Sequence, residues 1–216
     1  MKIAVTGGTG FIGKRLIRHL REKGDEVWII SRSAASGHPH DDVPVISWDG
    51  LKQAKDKLEG LDAIVNLAGE PISQRWTKSA KKRIVDSRRE AAERLAEFTA
   101  SLEQTPGVVV NSSGISIYGT SETEKFDETS PPRLEDFLSE VAAEWERAAD
   151  AIPAQRIVKL RTGVVLGREG GALPKMALPY KLMVGGNIGN GRQPLSWIHI
   201  DDLARAIRFC IERTTI

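Results

Sequence analysis

The sequence predicts a doubly wound α/β fold, and three features carry that prediction. Short runs rich in Val and Ile recur through the first 166 residues, longer helical patterns separate them, and a glycine-rich turn joins the first run to the first helix. Strands linked by crossovers of this length lie parallel. Their nearly continuous apolar character fits burial on both faces, which places helices on either side of one parallel sheet.

Lys2–Thr6 (KIAVT) reads as the first strand, and the helix after the glycines runs to about Lys23. Glu26–Ile30 is the second strand and Val43–Trp48 the third. After Leu51–Leu58 comes a fourth strand, Asp62–Leu67, and then a long charged helix from about Thr77 to Leu102. Val108–Asn111 is the fifth strand, Leu134–Ala149 a helix with Phe137, Val141 and Trp145 on one face, and Arg156–Leu160 the sixth strand. Ser33–Asp42 and Gly119–Pro132 read as polar surface loops.

Beyond Leu166 the pattern changes. Gly170–Gly171, Pro174, Pro179, Gly185–Gly186, Gly189 and Gly191 interrupt it repeatedly. The expected division is therefore a sheet domain over 1–166 and a small lobe over 167–216. Gly171–Val184, with Met176, Leu178, Tyr180 and Met183, reads as a helix packed on the core, with a cover over a substrate as the other reading. Gly185–Gly191 is a turn region suited to gating access. The sequence ends at Ile216, after a helix over Asp201–Arg213 and with no closing strand, as a fragment of a longer chain or a truncated lobe would.

The chain has 216 residues, of which 40% are apolar, and Lys+Arg 31 against Asp+Glu 29 gives a net charge of +2. That balance argues against a dedicated nucleic-acid or membrane surface. No run approaches the roughly 18 apolar residues of a membrane span, and MKIAVTGGTG is no secretory leader. The single cysteine, Cys210, lies on an amphipathic helix with Ile207 and Ile211 and reads as a core residue. It forms no internal disulfide, which fits a reducing, cytoplasmic setting.

The turn Thr6-Gly7-Gly8-Thr9-Gly10-Phe11-Ile12-Gly13 stands between the first strand and the first helix. Gly7 permits a tight turn, Gly10 a close backbone approach to a pyrophosphate, and Gly13 close helix–strand packing. With the free N–H groups of the helix N-terminus, this defines a dinucleotide site of the Rossmann type, lined by Gly7, Thr9, Gly10, Phe11, Ile12 and Gly13. The second strand ends in Ile30-Ser31-Arg32-Ser33, where an acidic residue would bind the ribose 2′-hydroxyl of NAD. A guanidinium with hydroxyl neighbours suits the 2′-phosphate of NADP(H) instead, unless Arg32 is simply solvated. Asp49 is placed either to meet the adenine amino group or to cap a helix. The small residues in Asn66-Leu67-Ala68-Gly69-Glu70 would let the cofactor lie along the end of the fourth strand.

Together with Ser112-Ser113-Gly114-Ile115-Ser116-Ile117-Tyr118-Gly119 and Trp197-Ile198-His199-Ile200-Asp201-Asp202, these segments resemble the extended short-chain dehydrogenase/reductases, over essentially the whole chain. Glu70-Pro71-Ile72, Arg75-Trp76-Thr77, Ser87-Arg88, Asp136-Phe137-Leu138, Trp145-Glu146 and Arg161–Gly167 are similar to an atypical subgroup named only "epimerase family protein". Members usually end in a small further domain that this sequence lacks. The subgroup implies NADP(H) binding through Ser31-Arg32, Leu67-Ala68 and the region of Arg83 and Arg88. Ser112 and Thr162 are further cofactor candidates at the ends of the fifth and sixth strands.

The superfamily's Tyr-x-x-x-Lys pair, with a Ser or Thr on the same substrate oxygen, is missing. Of the 2 tyrosines, Tyr118 and Tyr180, neither precedes a lysine at that spacing. The resemblance sets Asp136 at the Tyr position, Glu140 at the Lys position and Gly114 at the Ser/Thr position. Ser113, Tyr118 and Glu140, with Ser116 beside them, are the remaining catalytic candidates, each with a plain structural reading as well. His199 invites a catalytic role, but the resemblance makes its motif architectural, with Asp201 or Asp202 starting the last helix. No metal-ligand spacing is present.

Two functions follow from this reading. One is an NADP(H)-dependent oxidoreductase or epimerase acting on a small polar metabolite such as a nucleotide sugar. The other is a catalytically silent NADP(H)-binding regulator or partner protein. A homodimer through the helices near Thr77–Leu102 and Leu134–Ala149 stays open.

Overall fold

The computed structural model describes residues 1–32, 42–187 and 189–215. Ser33, read above as a neighbour of Arg32, lies outside the described residues. Strands β1 (Lys2–Thr6), β2 (Glu26–Ser31), β3 (Val45–Ser47), β4 (Ala63–Asn66), β5 (Val108–Gly114) and β6 (Ile157–Thr162) form a six-stranded sheet in the order β3-β2-β1-β4-β5-β6. All its pairings are parallel. The order reverses direction between β1 and β4, which opens a crevice beyond the carboxyl ends of these two strands.

Alternation along the strands divides the core. Ile3, Val5, Val27, Ile29, Val65 and Val110 face helices α1 (Phe11–Glu22) and α6 (Ile200–Glu212), burying Leu16, Ile17 and Leu20 against Leu203, Ile207 and Cys210. Ala4, Ile30, Ile64 and Val109 point to the opposite face. There Ala92, Leu95 and Phe98 of α3 (Lys78–Ser101) and Ala149 of α4 (Phe137–Ala149) cover them. A four-residue helix, α2 (Lys55–Leu58), closes this layer with Leu58. Cys210 is buried as expected, and its burial pushes the thiol pKa up. No helix among the described residues is long and apolar enough to cross a membrane.

Several expected boundaries shift. The expected third strand narrows to Val45–Ser47, because Trp48–Gly50 turns into a 3-10 helix capped by Ser47, whose hydroxyl accepts from the Gly50 amide at 3.0 Å. Asp49 is therefore not the helix cap. The last helix starts at Ile200, and its N-cap is His199, whose Nδ1 accepts from the Asp201 amide; Asp201 and Asp202 occupy the first turn. His199 thus serves as a helix cap, an architectural use.

A second, three-stranded sheet follows β6 and straddles the expected division at 166, while α6 of the expected lobe packs into the main core. β7 (Val164–Gly167) pairs antiparallel with β8 (Gly170–Gly171) and parallel with β9 (Trp197–His199). A short strand thus precedes the last helix where the sequence suggested none. Helix α5 (Leu173–Lys181) forms within Gly171–Val184, but none of its residues is buried, contrary to the expected packing on the core. Leu178, Tyr180 and Met183 stand exposed. The helix touches the lobe's own β7 and β8, and Lys175 Nζ reaches Ser73 Oγ at 3.0 Å.

Candidate functional site

The glycine turn sits at the switch point. Gly7 has φ +67°, and a Cβ there would lie 2.7 Å from the Leu67 carbonyl oxygen. At Gly13 a Cβ would lie 2.6 Å from Gly8 Cα, so helix α1 approaches β1 only because that side chain is missing. Gly10 caps α1 with extended backbone and no side-chain bond, and the first turn holds no acidic residue. A helix N-terminus left this way, with its N–H groups facing a crevice, is suited to an anion. The residues present fit a dinucleotide pyrophosphate.

A chain of buried amides and hydroxyls underlies the crevice. Thr6 Oγ1 donates to Asn66 Oδ1 at 2.6 Å, and Asn66 Nδ2 donates to Asn111 Oδ1 at 2.7 Å, across paired positions of β1, β4 and β5. Thr6 Oγ1 also accepts from the Leu67 and Ala68 amides, both at 3.1 Å. These bonds fix the turn that leads through Leu67, Ala68 and Gly69. The sequence reading missed Thr6 and Asn111. Polar residues at the carboxyl ends of otherwise apolar neighbouring strands were the available signal.

Arg88 is buried, 8% exposed, where the helix pattern alone allowed a surface position. Its Nη1 donates to the carbonyls of Glu70 and Ile84 at 3.1 and 2.8 Å, and its guanidinium stacks 4.6 Å from the Trp145 ring centroid. Gly69 lies directly above it, where a Cβ would come 2.9 Å from the guanidinium carbon and push it aside. Burial lowers the Arg88 pKa to about 10, and the nearby Glu70 only partly opposes this, so the group stays cationic at neutral pH. Its Nε has no partner among the described residues. Arg83 is exposed and lies 3.9 Å from the Glu70 carboxylate, which also accepts from Gln74.

Arg32 is exposed at the end of β2. Asp49 is exposed as well, and its carboxylate is engaged by Arg94. Thr9, Phe11 and Ile12 sit at the start of α1, and Ser112 and Thr162 on the neighbouring strands β5 and β6. Thr162 Oγ1 donates to the Ser113 carbonyl at 3.1 Å.

The three catalytic candidates are not assembled as a triad. Ser113 is buried on β5 and donates to Glu146 Oε1 at 2.7 Å. Arg161 on β6 forks onto the same carboxylate at 2.8 and 2.9 Å and donates to Tyr118 Oη at 2.8 Å. This network of Ser113, Glu146, Arg161 and Tyr118 was not foreseen, although a cation inside a strand demands a partner. Burial pushes the Glu146 carboxyl pKa up, but the Arg161 fork and the Ser113 hydroxyl outweigh it and hold it below the usual range. Glu140 is exposed on α4, apart from this network.

Asp136 is the N-cap of α4. Its carboxylate accepts from the Ser139 amide at 2.8 Å while Ser139 Oγ accepts from the Asp136 amide at 3.0 Å, a reciprocal capping box. Asp136→Ala is expected to cost about 1 kcal/mol of stability, read by chemical unfolding, and to leave dinucleotide affinity unchanged. A large loss of affinity without loss of stability would place Asp136 in the binding machinery instead.

Sheet order, switch-point glycine turn and open helix N-terminus define an α/β fold of the Rossmann type. The family model for the NAD dependent epimerase/dehydratase family matches residues 3–215, and the chain belongs to that family. It is 41% identical to epimerase family protein YfhF of Bacillus subtilis, over 100% of this chain and 72% of that protein. The crystal structure of human epimerase family protein SDR39U1 with NADPH superposes with a TM-score of 0.89 at 40% identity, covering 100% of this chain and 72% of the human one. MoeE5 in complex with UDP-glucose and NAD shares the fold at a TM-score of 0.79 and 22% identity, over 100% of this chain and 73% of that one.

Proposed function

We propose that this chain binds NADP(H) in the switch-point crevice and acts as an oxidoreductase or epimerase-like enzyme on a small polar metabolite of the nucleotide-sugar class. The observation that carries the reading is the uncapped, acid-free N-terminus of α1 behind the glycine turn, with Arg32 at the end of β2 where NAD proteins carry a carboxylate. The NADPH-bound relative at 40% identity supports the same choice of cofactor. Bound there, the dinucleotide supplies hydride transfer.

The amides at the start of α1, around Gly10, Phe11 and Ile12, take the pyrophosphate. Ser31 and Arg32 would hold the 2′-phosphate, and Asp49, once released by Arg94, would meet the adenine amino group. Leu67, Ala68 and Gly69 leave room along β4, with Glu70, Arg83 and Arg88 beside them. Ser112 and Thr162 line the far end.

For acid–base work, Ser113 has its proton committed to Glu146. Tyr118 accepts from Arg161, and its own proton has no acceptor among the described residues. Of the three candidates, Tyr118 is therefore the one whose hydroxyl is left to donate to a substrate oxygen, although its ring is buried against Phe126. Glu140 stands exposed on α4, apart from these groups.

The second reading is a silent NADP(H)-binding protein, favoured by the engagement of Asp136 in a helix cap and of Ser113 in a buried network. Calorimetric titration with NADPH and NADH, followed by absorbance assays of the reduced nicotinamide against UDP-sugars and small carbonyl compounds, separates the readings. Tight NADPH binding with turnover of any member supports the enzyme. Tight binding with none consumed supports the silent protein. Absence of binding by either nucleotide overturns both.

A further inference from the structure

Phe11, the first residue of α1, belongs to the glycine turn by sequence, yet its ring turns away into the lobe. Three glycines of the β7–β8 hairpin surround it. A Cβ on Gly167 would lie 2.8 Å from Phe11 Cζ, one on Gly170 2.8 Å from Cδ2, and one on Gly171 2.7 Å from Cε1. The hairpin therefore fits the ring's edges so closely that any side chain at these positions would occupy its space. A Cβ on Gly167 would also meet Ile200 at 3.0 Å, so the same cradle touches the first residue of α6. Arg15, one turn further along α1, pairs with Asp201 on that helix.

We infer that Phe11 couples cofactor binding to the placement of the lobe: seating its ring between Gly167, Gly170 and Gly171 sets both the phosphate turn and the β7–β8 hairpin. The inference rests on the NADP(H) reading above. The Phe11 backbone lies where the pyrophosphate is to be held, while its side chain lies in the lobe. The half-buried ring rests against the hairpin backbone, so a shift of the hairpin is felt at the residue whose backbone enters the phosphate turn. Coupling of this kind is reciprocal. A change that unseats the ring weakens the cofactor, and a bound cofactor holds the hairpin. Glycines at these positions, in an otherwise ordinary hairpin, are what such a joint requires.

Gly170 is the cleanest probe, since its three nearest atoms all belong to Phe11, whereas Gly171 has φ +73° and Gly167 also meets Ile200. Gly170→Ala is expected to weaken NADPH binding about tenfold, the cost of one methylene forced into a filled space. Phe11→Leu is expected to weaken it by a similar factor. In the Phe11→Leu background, Gly170→Ala should add less than about twofold, because the shared contact has gone. Amide hydrogen exchange gives a second readout. NADPH should slow exchange across residues 164–171 in the wild type, and Phe11→Leu should abolish that slowing.

Wild-type affinity in Gly170→Ala, or losses that multiply in the double variant, would overturn the coupling. Should Gly170→Ala fail to fold, Phe11→Leu with exchange decides alone, and an undiminished slowing of the hairpin overturns it. Wild type that binds no NADPH overturns the cofactor reading and this one together. Wild type that binds NADPH while its hairpin exchanges as before overturns this one only.

Discussion

Glu146→Ala is expected to lower the unfolding free energy by about 3 kcal/mol, the largest single effect among the substitutions considered, because it strands the guanidinium of Arg161. The Glu146 side chain is 7% exposed and that of Arg161 21%, so water offers Arg161 only partial relief. The carboxylate also accepts from Ser113, whose hydroxyl would be left in a buried strand without an acceptor. Replacing both partners, as in Glu146→Leu with Arg161→Met, removes the uncompensated charge and is expected to recover more than half of the loss. Chemical unfolding of the two variants measures this. A Glu146→Ala cost below about 1 kcal/mol would mean that the pair behaves as an ordinary surface salt bridge.

The same network has an acid signature. The Glu146 carboxyl pKa is held below its ordinary value near 4.5, so its contribution to stability is fully present above that pH. It fades as pH falls through the lowered native value. The wild type should therefore lose more stability than the double variant on acidification from about pH 5 to about pH 3. The sign follows from the unfolded chain binding the proton more readily than the folded one.

Legibility from sequence followed the physics of each element. The parallel sheet was readable because burial on both faces demands continuous apolar runs, and Ile3, Val5, Ile29, Ile64 and Val109 meet that demand. The glycine turn was readable because backbone space at Gly7 and Gly13 admits no other residue. β5 was read short, to Asn111, because the apolar run ends there and Ser112 and Ser113 follow it. They remain in the strand because β6 offers Leu160 and Arg161 as parallel partners, a fact fixed by tertiary pairing. Glu146 gave no sign of its role: on a helix flanked by Trp145 and Arg147, it reads like any solvated carboxylate until β6 is set beside it. Arg88 was equally ambiguous, since a helix pattern does not say which face a neighbouring tryptophan will cover. At Phe11 the turn pattern speaks for the backbone alone and gave no sign that the ring rests against Gly167, Gly170 and Gly171.

Arg32→Ala is expected to weaken NADPH binding about 10- to 100-fold while leaving NADH within about twofold, since hydrogen bonds to a charged group are the stronger ones and only NADPH carries the 2′-phosphate. Arg32 is exposed at the end of β2 and forms no ion pair among the described residues. It stands at the strand end where the adenosine ribose of a Rossmann site lies. Being exposed, the contact should also be screened, so the NADPH preference of the wild type should shrink as salt is raised. Arg32→Lys separates charge from shape. A lysine keeps the point charge but loses the planar fork, and an intermediate affinity is expected. Calorimetric titration of both nucleotides against the three proteins reads all of this. Equal loss of NADPH and NADH in Arg32→Ala would mean that Arg32 supports the fold of the site and does not read the 2′-phosphate. No loss of either would move 2′-phosphate recognition to another cation, and Arg83 and Arg88 would be the next two to substitute.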